Sequence, residues 1–202
     1  MLILSSIICL GQNEYFNADG SPTAKFPTFM YGKAKTASRN LTIDFVVDKS
    51  SDFNKVKITK VINYLNSIYN QVDIGFTINR VATQANAMAS DGSLHSTLRQ
   101  NRKVPGADIM IIITGRHAGS IIGKAWKGKL GTNFAFGAVD FNSLHSLKSC
   151  AGLLGHEIGH ILGLPHNEDK HSVMHGIADT YCARFTPTNL KYLKGLTLRV
   201  NK

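Results

Sequence analysis

The sequence predicts an α/β fold in which a mostly parallel, twisted sheet is wound through crossover helices. Three observations lead there. Strand-like and helix-like segments alternate from residue 41 onward, the rhythm of parallel strands joined by helices. The segment ADIMIIIT, residues 107–114, is a nearly unbroken apolar run, as expected of a central strand covered on both faces. Apolar residues make up 43% of the chain, enough for a core, yet no apolar run reaches the roughly 18 to 20 residues that span a bilayer.

Taken in order, residues 1–11, MLILSSIICLG, form an apolar leader with small residues Cys9 and Gly11 placed as before a signal cleavage site. A secretory signal peptide is the expectation; a buried N-terminal strand is the alternative. Residues 12–40 are rich in Gly, Pro, Ser, Asn and Lys without a sustained period, and read as an irregular lead-in. LTIDFVV, 41–47, is a buried strand closed by the turn-prone DKSSD. Val56, Val61, Ile62, Leu65, Ile68 and Tyr69 recur at helical spacing, which predicts an amphipathic helix over 52–70. DIGFTINRV follows as a second strand, and DGSLHSTLRQNR as a shorter helix.

After the central strand come two short strands, around 121–126 and 137–141. Residues 147–162 read as a helix capped by Ser146 or Ser149, and TPTNLKYLKGL as a last helix starting near Pro187. No internal repeat or second domain is visible, so 41–202 is taken as one domain.

Lys and Arg total 23 against 13 acidic residues, a formal charge of +10. The basic residues are scattered, and the densest group is Lys124, Lys127 and Lys129 in GKAWKGKLG. A solvated basic face is the plain reading, and no specific nucleic-acid partner is expected. With the leader removed, Cys150 and Cys182 remain, either as a disulfide of an exported domain or as two reduced thiols. Asn40-Leu41-Thr42 is a glycosylation sequon.

The chemistry concentrates in HEIGHILGLPH, residues 156–166. His156 and His160 stand four apart on a predicted helix, a rotation of about 400°, so both imidazoles share one face. Gly163 suits a sharp helix stop, and the chain can then return His166 as a third ligand. Three neutral imidazoles suit Zn²⁺ and leave a position open for water, whose pKa zinc lowers towards about 7. Glu157 lies beside them as a general base for that water. A purely structural zinc site would call for a fourth protein ligand.

HEIGHILGLPH matches the HExxHxxGxxH signature of the metzincin zinc endopeptidases, and Met174 in HSVMHG falls where that family places a methionine turn. The resemblance implies a zincin-like mixed sheet with an antiparallel edge strand, an active-site helix and a small C-terminal subdomain. It assigns His156, His160 and His166 as ligands, Glu157 as base and Met174 as the turn residue. The layout LTIDFVVD, VINYLNSIYN, ADIMIIITG, IIGKAWKGKLG is most similar to the adamalysin, or reprolysin-like, branch. In that branch Gly123, Lys124, Ala125 and Trp126 would form the edge strand that receives substrate, and Asp44 and Asp108 would match acids of a Ca²⁺ site.

The sequence also departs from the branch. Asn167 stands where adamalysins carry Asp, and Thr188 where a cysteine is usual. The seven residues between His166 and Met174 are closer to the matrixin spacing, and Gly176 offers no astacin-like tyrosine. The expected function is a secreted, monomeric zinc endopeptidase acting on extracellular proteins. The competing classes are a catalytically silent zinc-binding recognition protein and a basic-surface binder of heparin-like polymers.

Overall fold

The computed structural model describes residues 37–89, 91–100, 106–115, 120–176 and 184–196. The leader, most of the lead-in and Cys182 lie outside these residues. Five strands form one sheet: β1 (Arg39–Asp48), β2 (Ile74–Gln84), β3 (Ile109–Thr114), β4 (Gly123–Ala125) and β5 (Phe136–Asp140). Their order is β2-β1-β3-β5-β4. The first four in that order are parallel, with Phe45 opposite Ile111 and Ile112 opposite Ala138. β4 closes the edge antiparallel to β5, with Lys124 opposite Ala138. The expected mixed, mostly parallel architecture is therefore present.

Alternation along the strands sorts the core into two layers. Ile43, Phe45, Val47, Ile109, Ile111, Ile113 and Val139 face helices α1 (Lys55–Tyr69) and α3 (Leu147–Ile161) in the larger cluster. Val46, Met110, Ile112, Phe136 and Ala138 face the opposite way, towards Leu94 and Leu98 of α2 (Leu94–Gln100). β3 is buried at every position, which explains its unbroken apolar run.

The helix boundaries follow their caps. Asn54 accepts from the Lys57 amide and so starts α1 three residues later than its apolar period suggested. Ser146, rather than Ser149, caps α3. Thr186 accepts from the Asn189 amide to open α4 (Pro187–Gly195), with Pro187 in the first turn where its missing N–H is harmless. β4 is shorter than the expected 121–126, although the Asp140 amide still donates to Ile122 O and the Trp126 amide to Phe136 O at its two ends.

Two side chains hold the helices to the sheet. Arg39, at the start of β1, donates to Leu193 O and Leu196 O at the end of α4, both at 3.0 Å, and to Val72 O. The C-terminal helix thus joins the common core through Leu193. Tyr69 is fully buried, meets Phe76 and Phe185 edge-on, and donates its hydroxyl to Gly155 O at 2.8 Å.

That bond links α1 to the residue preceding His156. Tyr69→Phe should lower unfolding stability by about 1 kcal/mol, and Tyr69→Ala by about 3–5 kcal/mol, in urea titrations. Zinc content of the phenylalanine variant should be unchanged.

Candidate active site

α3 is buried along nearly its whole length, and glycines allow that burial. A Cβ at Gly159 would sit 2.3 Å from Met174 Sδ, so the fully buried Met174 lies against the helix between the two ligand turns. The helix then stops in a Schellman motif. The Leu164 amide donates to Gly159 O and the Gly163 amide to His160 O, each at 2.9 Å, with Gly163 at φ +104°. A side chain at Gly163 would also collide with the Tyr192 hydroxyl, itself bonded to Leu162 O. This turn sends the chain back to His166.

The result is a triangle of imidazole Nε2 atoms. His156 and His160 stand 3.1 Å apart, His156 and His166 3.1 Å, and His160 and His166 2.9 Å. His156 Nδ1 donates to Val173 O at 2.7 Å, and His160 Nδ1 to Leu164 O at 2.8 Å. A carbonyl can only accept, so both rings carry their proton on Nδ1 and present a bare lone pair at Nε2. Bare lone pairs this close repel unless a metal cation, or a proton on His166 Nε2, lies among them. The donor set, three neutral nitrogens with carbonyl partners behind two of them, fits Zn²⁺.

The histidines are tuned for that role. Burial pushes His156 down to about 4, opposed by the Val173 carbonyl and helped by the neighbouring imidazoles. Burial also lowers His160 and, less deeply set, His166. All three are therefore held neutral, the form a metal requires.

Glu157 points into the same space. Its carboxyl is almost wholly buried and pushed up to about 8 by desolvation, with Lys124 pulling against the shift. Its Oε2 is buried and has no hydrogen-bond partner among the described residues. Such an oxygen calls for a ligand or water donor. The other oxygen lies over β4: a Cβ at Gly123 would come within 2.3 Å of Oε1 and 2.7 Å of Leu153 Cδ1.

Gly123, Lys124, Ala125 and Trp126 lie at the sheet edge as expected, with β4 last in the strand order and half-buried. Trp126 turns to the α2 layer between His95 and Phe134, and its Nε1 has no partner among the described residues. Asp44 and Asp108 do not behave as a calcium pair. Asp44 is met by Asn79 at 2.8 Å and Arg80 at 3.1 Å, and Asp108 by the Thr42 amide and hydroxyl. Their charge is answered by protein donors, and calcium has no support. Cys150 is a free, buried thiol pushed up to about 12 by desolvation; of the two alternatives for Cys150 and Cys182, the disulfide has no support.

Sequence reasoning missed one network. Asn167 Nδ2 donates to Ser172 Oγ at 3.0 Å and Asn189 Oδ1 at 2.9 Å, while Ser172 Oγ accepts from the Met174 amide. The residue after His166 thus joins the Met174 turn to α4, and Asn rather than Asp is needed because Asn189 offers an acceptor. The Thr-x-x-Asn cap at 186–189 was the available signal. His171 is exposed, and His175 sits in the turn beside the ligands, where it adds to the depression of His166.

The fold and the three-imidazole centre define a zinc metallopeptidase. The reprolysin family model described as metallo-peptidase family M12 matches residues 40–193, and the chain belongs to that family. No curated protein matches it in sequence. Archaemetzincin from Methanopyrus kandleri shares the fold at a TM-score of 0.57 and 17% identity, over 77% of this chain and 94% of that one. Metalloproteinase-II from Bacteroides fragilis gives 0.59 and 17%, over 79% and 53%. A chain described in the structure of a chaperone-substrate complex gives 0.58 and 15%, over 78% and 34%. The chain thus spans about half of the Bacteroides fragilis protein and about a third of the last.

Two outcomes are expected. A histidine whose folded pKa is depressed binds its proton more readily in the unfolded chain, whose value is about 6.5. Glu157, raised to about 8, works in the opposite sense over the same range, so the histidine effect is read in chelator-treated Glu157→Gln, whose stability should fall as pH drops below about 6.5 and keep falling until His156 protonates near 4. Urea midpoints at about pH 7, 6 and 5 measure this; a flat series would contradict it. Gly123→Ala should displace Glu157 and lower peptide hydrolysis about 10²-fold with zinc content unchanged.

Proposed function

We propose that this protein is a secreted zinc endopeptidase of the adamalysin branch, cutting extracellular proteins at an internal peptide bond. The observation that carries the catalytic part is the unpartnered, buried Glu157 Oε2 beside the three converging imidazoles. Bound zinc supplies Lewis acidity, acidifying a water and polarising the scissile carbonyl.

Glu157 takes the proton from the attacking water and delivers it to the leaving amine. The burial of Glu157 beside Gly123 and Leu153 keeps bulk water from removing that proton between the two steps. His156 and His160 keep their orientation through the Val173 and Leu164 carbonyls. Met174, under the helix, fixes the depth of the floor. The substrate adds to the free edge of β4 as an extended strand, its backbone amides and carbonyls extending the sheet.

Secretion rests on the apolar leader at 1–11, and the branch on the LTIDFVVD, ADIMIIITG and IIGKAWKGKLG layout. Asn167 and the short loop to Met174 would make it a cysteine-poor member. A binding-only descendant would have no use for an intact base aimed at the metal position.

The test is hydrolysis of a mixed peptide library by wild type and Glu157→Ala, with zinc quantified in both. Wild type should cleave, and the variant should be slower by about 10²- to 10⁴-fold while holding about one zinc per chain. Zinc in both proteins with cleavage by neither would count against the enzyme. No zinc in either would overturn the site.

A further inference from the structure

We propose that Lys127 and Lys129, with Lys124 behind them, form an anion-binding subsite that selects peptides carrying an acidic residue on one side of the scissile bond, the side lying over the C-terminal end of β4. The proposal rests on the peptidase reading above.

The loop after β4 is fastened to the metal-ligand helix. The Gly128 amide donates to His160 O at 2.8 Å, and the Lys129 and Leu130 amides to Ile161 O at 3.0 and 3.3 Å. Gly128, at φ +63°, makes the turn that aims these amides at the helix end. The loop is therefore positioned by its backbone, and its lysine side chains are left for other work. Lys127 and Lys129 are exposed, and none of the three lysines pairs with an acid among the described residues.

The placement along the cleft is one-sided. At Gly123 the strand passes over Glu157, and by Gly128 it has reached the far end of the ligand helix at His160. A peptide laid along β4 advances about 3.3 Å per residue, so its residues over Lys127 lie beyond the metal from Glu157. Glu157 is buried, and Asp169, in the segment after His166, is paired with Arg184 at 3.3 Å. A substrate carboxylate at the Lys127 end would find Lys127 and Lys129 without an ion-paired acid among the described residues, with Lys124, which also faces Glu157, behind them; a peptide fits better than a long polyanion because the lysines flank a strand edge that can bond to peptide backbone.

The experiment uses the zinc-loaded chain and peptides of one cleavable sequence in which Glu or Gln is placed in turn at three positions on each side of the scissile bond. Binding is read separately with Glu157→Gln, through the fluorescence of Trp126, the only tryptophan in the chain and the neighbour of Lys127. Glu should be preferred over Gln by about two- to fivefold per lysine engaged, on one side only, in both kcat/KM and binding, and less so at high salt. Lys127→Gln with Lys129→Gln should bring the ratio towards one, and Lys127→Glu should turn the preference to Lys-bearing peptides.

Cleavage indifferent to Glu at every position overturns the subsite and leaves the peptidase standing. Lower thermal stability in the lysine variants with an unchanged Glu/Gln ratio assigns the lysines to the helix dipole and also overturns it. Tight, lysine-dependent binding of a heparin fragment with no peptide preference overturns it in favour of a polymer surface. No cleavage and no binding of any peptide by zinc-loaded protein overturns both readings.

Discussion

Three imidazole nitrogens held about 3 Å apart, two of them barred by a carbonyl partner from carrying a proton, are an arrangement that a single metal cation satisfies at all three at once. The rest of the structure exists to maintain it. The convergence is held from outside by packing and by backbone carbonyls. Val173 O sets one ring and Leu164 O the next, while Gly176 approaches the third closely enough that a Cβ would lie 3.4 Å from His166 Nδ1. Burial then keeps the rings neutral, so the site is ready for a metal before one arrives.

Imposing that geometry requires a helix that cannot drift. α3 is clamped between the sheet and α1, with Tyr69 bonded to Gly155 O on one side and Met174 pressed into the space left by Gly159 on the other. A larger residue at Gly159 would push the helix and Met174 apart. The helix end is fixed with equal care: a Schellman turn at Gly163, the Tyr192 hydroxyl on Leu162 O and three loop amides on His160 O and Ile161 O leave few of the last carbonyls to water.

The fold and the centre of the site were legible in the sequence because both are written in local periodicity. The apolar run of β3, the helical spacing of α1 and the His-x-x-x-His turn each need only neighbours along the chain. What could not be read required contacts between distant segments. The donation from Asn167 to Asn189 spans 22 residues, and the approach of Gly123 to Glu157 spans 34, with no pattern in either stretch to announce it. Asp44 and Asp108 were misleading for the same reason. An acid on a strand looks alike whether it faces a cation or, as here, Arg80 and Thr42.

The long-range bonds also decide which parts can move independently. The β4 edge and the helix carrying two ligands meet at the loop that shares His160 O, and the third ligand's segment is tied through Asn167 to α4, which Arg39 anchors to β1. Each connection is a hydrogen bond between groups at least partly shielded from water, where an unmade bond is costly. A displacement of β4 would therefore strain the metal helix as well. Under the proposed addition of a peptide to the β4 edge, selection of substrate and integrity of the metal centre would be coupled by this construction: a peptide that did not lie flat along β4 would not find Glu157 and the three imidazoles in register.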